Sequence, residues 1–517
     1  MNKLIDLNSI DVALDQTATP ETNFDWLKLN DLKTGKYSFG FWNVSIKEYA
    51  NGQQVLKYEG VCKTNTFEIL EIYGFCKRYR EDGTYILIRE KDNILTKVTP
   101  AQIKDFALEM VNSLPDEIEI CGFKLQKKNF VEVFLREHHI LFGENTLSPL
   151  RNHTKKLLND TNTKMYFPFN NGVAVVTKKG VELIPYSDLK ELCIWKNHII
   201  DRDFSLTDVK SMFEDFIQNV SSSDPIRIHA IKTAIGYLLH RYYTSTCTKA
   251  VIFYDEAVTD SDSAHGGSGK GIISNAIAQL RETAIINGKR FDTRERFALQ
   301  KVTESTEVVF LDDILPDFDF EYFNSILTDG WEFEQKNKTT IRIPFEDSPK
   351  LIISANQIMK TKKGETASRR QFIIEISDFY SAMLTTTQTP IVDVHGCEFF
   401  RGWNAQQWHE FDSFMLTCCR LFLEVGLPIN EPKNVAYNRL LQSTSEDFMN
   451  WIFGKNYQRG VYYHSMQNYE EFRNLTVGEQ GTFSQNKFTT WLKLYAETGG
   501  NAYNSERYNG VTHFRFL

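Results

Sequence analysis

One stretch narrows the folds open to this chain more than any other. Ala264-His265-Gly266-Gly267-Ser268-Gly269-Lys270-Gly271 follows the apolar run Ala250-Val251-Ile252-Phe253-Tyr254 and leads into a second one, Ile272-Ile273-Ser274-Asn275-Ala276-Ile277. The order is strand, glycine-rich loop, helix. Three glycines ahead of the lysine let successive backbone N–H groups turn toward one point, where side chains would block them. The helix opening near Gly269 adds the positive end of its dipole. Lys270 supplies a mobile charge that reaches the outer phosphates of a nucleotide. Gly266, Gly267, Ser268, Gly269, Lys270 and Gly271 are therefore expected to hold those phosphates. The usual spacing, G-x-x-x-x-G-K-[ST], is met with two departures. Ala264 stands at the first glycine, and Gly271 stands where a hydroxyl residue normally binds magnesium.

Two later apolar runs end in polar residues suited to the same chemistry. Val308-Val309-Phe310-Leu311 closes on Asp312-Asp313. A buried strand that delivers carboxylates at its C-terminal edge can hold magnesium and polarise an attacking water. Asp312 is the expected metal ligand, with the second carboxylate acting on the water. The run Lys350-Leu351-Ile352-Ile353-Ser354-Ala355 ends in Asn356, whose amide can orient that water or sense the outer phosphate. Between them, Trp331 to Ile343 alternates like a hairpin, with Lys336, Asn337 and Lys338 at its tip. Cations there suit a grip on a nucleic-acid backbone. Arg369 and Arg370 precede the strand Phe372-Ile373-Ile374-Glu375-Ile376, and either can serve as an arginine finger in a neighbouring subunit's site.

The remaining sequence bounds the setting. A chain of 517 residues implies three or four domains. Net charge is −8, which excludes a surface coated for nucleic acid but not a basic channel within an acidic shell. None of the eight cysteines forms a C-x-x-C pair, so neither a zinc site nor a disulfide framework is indicated. No apolar run approaches the roughly 20 residues that cross a bilayer, and Met1 to Asp6 lacks a signal-peptide core. A cytoplasmic protein, in a bacterial host cell, is expected.

Residues 1–205 read as a mixed α/β domain. Strands Tyr37 to Tyr49 and Gln54 to Tyr58 turn at Asn51-Gly52, and Phe75 to Arg80 and Thr84 to Arg89 turn at Asp82-Gly83. A helix is expected over Pro100 to Leu114, and a hairpin over Val173 to Ile184. Asp201-Arg202-Asp203 has the form of a metal-binding carboxylate pair, but no histidine motif follows, and a solvated loop is the plainer reading. Residues 206–245 show two helical patterns, with Val209, Met212, Phe213, Phe216 and Val220 on one face and Asp224-Pro225 starting the second. Residues 246–400 carry the nucleotide motifs, and 401–440 include a packed helix over 404–425. Residues 441–517 have a winged-helix pattern ending in a hairpin at Asn509-Gly510, where Lys487, Arg507, His513 and Arg515 are candidate DNA contacts.

These blocks, in this order, resemble superfamily 3 helicases, and most of all the helicase part of phage and mobile-element primase-helicases related to the poxvirus type. The resemblance covers roughly residues 206–517. It aligns Lys270 with the Walker A lysine, Asp312 and Asp313 with Walker B, Asn356 with motif C, Lys336 and Lys338 with the DNA-gripping hairpin, and Arg369 or Arg370 with the arginine finger. It implies an α/β chain with an AAA+-type phosphate-loop ATPase core and parallel sheet, a helical collar at 206–245, and a C-terminal winged helix. It also implies ATP and Mg2+ as ligands. The assembly it implies is a hexameric ring of identical subunits translocating on single-stranded DNA, 3′ to 5′, in phage or mobile-element replication, with a primase among its partners. Two other functions fit the same nucleotide motifs: a ring AAA+ ATPase acting on protein or in phage defence, and an origin-binding replication initiator.

Overall fold

The computed structural model describes residues 29–31, 36–80, 83–120, 123–256, 267–303, 305–334, 336, 340–359, 369–430, 432, 434–475 and 483–517. They divide into two compact units. The smaller comprises Met1–Leu158 and Pro185–His198. Its expected strand from Tyr37 to Tyr49 is in fact two, Lys36–Phe39 and Trp42–Glu48, with Phe39 opposite Trp42 across the turn Gly40-Phe41. Aromatic residues on both sides of that turn hide it in the apolar pattern. The expected helix runs over Pro100–Asn112, capped by Thr99 and Gln102, with Ile103, Ala107 and Met110 buried. Trp42, Phe130 and Phe134 centre this unit's core.

The larger unit comprises Asn159–Ile184 and Ile199–Leu517. The hairpin Gly172–Thr177 with Gly180–Ile184 thus belongs here rather than to a domain ending at residue 205. Phe167, Phe169, Ala174 and Val176 from this segment join the larger unit's core. Its centre is a five-stranded sheet: β1 (Ala250–Asp255), β2 (Thr283–Asn287), β3 (Val308–Ile314), β4 (Lys350–Ala355) and β5 (Gln371–Ile376), in the order β2-β3-β4-β1-β5. Every pairing is parallel. Alternate residues point to opposite faces, and both faces are covered. Val251, Phe253, Phe310 and Ile352 face one core, and Ile252, Tyr254, Leu311 and Ile353 the other. Continuous apolar runs follow from this two-sided burial.

Helices α1 (Met212–Val220), α2 (Pro225–Leu239) and α4 (Ala405–Val425) cover the first face, while α3 (Lys270–Ala278) follows the glycine-rich loop. Asp224 caps α2 by accepting the Ile226 N–H at 2.9 Å, with Pro225 in the first turn. Val209, expected on the α1 face, precedes the helix and is exposed; Ser211 caps it instead. The Asp201-Arg202-Asp203 segment is a loop, yet the Arg202 side chain is only 16% exposed. Its guanidinium grips the fully buried Asp412 of α4 at 2.6 and 2.8 Å.

The C-terminal part has helices Glu446–Gly454, Ser465–Leu475 and Gln485–Thr498 around an aromatic core. Against them lies a small sheet of Tyr463–His464, Val511–Phe516 and Tyr503–Tyr508. No helix among the described residues is long and apolar enough to cross a membrane.

Candidate active site

A parallel sheet brings all its C-terminal strand ends to one edge, and here that edge gathers the candidate residues. Strand β1 ends at Asp255, β3 carries Asp312 and Asp313, and β4 leads directly into Asn356. Because β4 lies between β1 and β3, the Asn356 amide sits between the lysine and the carboxylates. Its Oδ1 accepts from Lys270 Nζ at 2.8 Å, and its Nδ2 donates to Asp313 Oδ1 at 2.9 Å. Lys270 opens α3 and is buried, and its ammonium also meets Asp255 Oδ2 at 2.5 Å. The order Asp255–Lys270–Asn356–Asp313 is therefore a continuous chain of charged and polar contacts.

The two carboxylates are aimed apart by a bulge. Leu311 pairs with Ile353 and Ile314 with Ala355, so β3 holds one more residue than its partner across this step. Asp313 takes φ +59°, a left-handed conformation that Asp tolerates better than most residues. Strain of this kind costs on the order of 1–3 kcal/mol and persists where neighbours over-determine it. Ser354, buried in β4, does so. Its Oγ accepts the Asp313 N–H at 2.8 Å and donates to Asp312 Oδ1 at 2.9 Å. Bulges beside active sites re-aim side chains in this way.

Just beyond β2, Gly288 lies against the bulge. A Cβ there would come within 2.8 Å of the Asp312 carbonyl oxygen and of the Ile314 nitrogen. Its successor Lys289 reaches Asp313 Oδ2 at 2.5 Å while remaining half-exposed. That hydrogen bond raises the Lys289 ammonium above the ordinary lysine value.

Whether these residues suit a nucleotide is answered by the loop itself. Gly269 has φ +105°, and a Cβ on it would strike the Phe216 ring of α1 at 2.8 Å. This position therefore admits only glycine, and no side chain among the described residues caps the start of α3. The Ser268 hydroxyl is buried and has no hydrogen-bond partner among the described residues. An unpartnered hydroxyl, open amides and a lysine together fit a polyphosphate. Magnesium fits less completely. Asp312 offers one carboxylate, Gly271 offers no side-chain oxygen, and no group of three or more His, Cys, Asp or Glu among the described residues is built to hold a metal. Magnesium is usually held by one or two carboxylates with phosphate oxygens and waters, so one carboxylate is not disqualifying. The entry to the loop is anchored where Arg227 of α2 clamps Glu256 at 2.8 and 3.1 Å.

Of the residues singled out from sequence, Gly267, Ser268, Gly269, Lys270, Gly271, Asp312, Asp313 and Asn356 lie along this edge. Gly266 lies outside the described residues, as do Asn337 and Lys338. Lys336 is exposed between strands Trp331–Phe333 and Ile341–Ile343. Arg369 and Arg370 sit at the start of β5, the opposite edge of the sheet, where the Arg370 carbonyl accepts the Ala250 N–H. In the C-terminal part, Lys487 lies over the Phe483 and Trp491 rings, and Arg515 over Tyr462, so both make intramolecular contacts. Asp255, Ser354 and Lys289 were not foreseen. Asp255 satisfies the criterion that selected Asp312, an acid closing an apolar run, and was legible on that ground.

No protein-family model and no curated protein matches the chain. Among solved structures it is similar to the C-terminal region of NrS-1, residues 305–718 of that protein, in an apo A form. The TM-score is 0.39 at 10% identity, covering 87% of this chain and 98% of that one. A second structure of the same region gives 0.34 at the same identity and coverage. At that level of similarity neither carries an argument about fold or activity.

Proposed function

We propose that the larger unit hydrolyses ATP at this edge and that the chain is a DNA helicase of the superfamily 3 kind, working as a ring on single-stranded DNA. One observation carries the reading: Lys270, Asn356, Asp312 and Asp313, distant in sequence, converge on one sheet edge beside a glycine-bound helix start. The strand order supports the AAA+ assignment, since a strand carrying a polar amide is inserted between the phosphate-loop strand and the acidic one.

In this reading the amides of 267–271 and the Lys270 ammonium bind the phosphates. Asp312, held by Ser354, would be the residue that holds magnesium. Magnesium, when bound, neutralises charge building on the phosphate oxygens. Asp313, swung out by the bulge, orients a water and takes up its proton, and Asn356 reports on the outer phosphate through its contacts to Lys270 and Asp313. Arg369 and Arg370 lie a strand's length, roughly 20 Å, from their own chain's site. A role in hydrolysis therefore requires a second subunit, which is the reason to expect a ring.

Lys336 and Lys338 carry the DNA contact. Lys336→Ala with Lys338→Ala is expected to weaken binding to single-stranded DNA about tenfold at physiological salt, because two phosphate contacts are lost, and to abolish strand separation. A strand-displacement assay that shows unwinding at the unmodified rate contradicts the assignment.

A further inference from the structure

Asp255 has no place in the reading above, yet it makes the shortest contact to the residue on which that reading depends. It ends β1, its side chain is 16% exposed, and its Oδ2 lies 2.5 Å from Lys270 Nζ. Its other oxygen, Oδ1, is buried with no hydrogen-bond partner among the described residues. The partner lysine is itself only 9% exposed at the side chain. The Lys270 ammonium has three donors and meets two acceptors here, Asp255 and Asn356.

We infer that Asp255 is a positioning residue that competes with nucleotide phosphate for Lys270 and so sets how tightly, and how selectively, the site holds a triphosphate. This rests on the nucleotide reading given above. Phosphate oxygens and the Asp255 carboxylate are both anionic acceptors for one ammonium. A bound polyphosphate must share Lys270 with Asp255 and Asn356, and it then lies close to the Asp255 carboxylate. Like charges brought together in a partly buried site oppose binding strongly. The penalty grows with phosphate charge, so it falls most heavily on the triphosphate, less on the diphosphate, and not at all on the nucleoside. A site tuned this way binds product and substrate loosely enough to release them, at the expense of affinity.

The chemistry also separates this role from metal binding. A carboxylate that ligated magnesium would strengthen triphosphate binding and make it more dependent on the metal. A competitor weakens binding with or without the metal.

The test is titration of the full chain and of Asp255→Asn with adenosine, ADP and a non-hydrolysable ATP analogue, with and without magnesium, alongside steady-state hydrolysis. The variant is expected to bind the analogue about tenfold tighter, to gain less for ADP, and to bind adenosine unchanged. Its KM for ATP falls in step while kcat does not rise. A merely structural role moves all three ligands together and cannot give this graded split. Equal or weaker binding of the analogue by Asp255→Asn overturns the inference, and weaker binding with lost magnesium dependence assigns the residue to the metal instead. If Asp255→Asn does not fold, Asp255→Ser serves, with the same expectations. If the unmodified chain binds no triphosphate, the nucleotide reading itself fails. If it binds and the variant gains nothing, only the role of Asp255 fails.

Discussion

Replacing Lys270 by alanine is expected to lower ATP hydrolysis by roughly 10²–10³-fold, the loss typical when one pre-aimed donor to a developing negative charge is removed. The expectation follows from where Lys270 sits. It is the first residue of α3, its amide lies at the helix's positive end, and its ammonium is held between β1 and β4 within the same row of side chains as Asp313. No other cation among the residues named here occupies that position, since Lys289 is engaged on the far side of Asp313. Hydrolysis is measured by phosphate release, with a melting curve alongside because the variant leaves Asp255 without its cation. Full hydrolysis by Lys270→Ala refutes the site.

Asp313→Asn is expected to reduce turnover by roughly 10²–10⁴-fold, the range for losing a positioned general base, while triphosphate binding persists. Asparagine is the informative replacement. It tolerates the left-handed φ that Asp313 adopts, whereas alanine would add strain at the bulge. It keeps the backbone N–H that Ser354 accepts, and so keeps the aim of Asp312. What it removes is the negative charge, and with it both the proton acceptor and the anchor of Lys289. Single-turnover phosphate release, compared with equilibrium binding of an ATP analogue, separates the two effects. Turnover close to that of the unmodified chain places the base elsewhere.

Much of this site was legible in the sequence because each piece is local. An apolar run that stops on Asp312-Asp313 or on Asn356 announces a strand end, and Gly-Ser-Gly-Lys announces a turn into a helix. The order of the strands was not legible, since which strand lies beside β1 is settled by packing between segments far apart in the chain. Only the order β3-β4-β1 shows that Asn356 bridges Lys270 and Asp313. Ser354 reads as an interior strand residue, although a lone hydroxyl in an apolar run signals a buried polar partner. Lys289 follows a glycine and reads as surface; its contact exists because Gly288 lets two strand ends approach without a Cβ between them. The turn at Gly40-Phe41 was missed for a different reason. The core of the smaller unit wants aromatic residues on both arms of the hairpin, so no polar turn signal interrupts them.

A helicase of this kind must couple hydrolysis at the sheet edge to a polynucleotide. The direct measurement is the steady-state ATPase rate of the unmodified chain with and without single-stranded DNA, at one fixed salt concentration. A several-fold higher rate is expected with the single strand present. Measurable hydrolysis at the same rate in both conditions contradicts it.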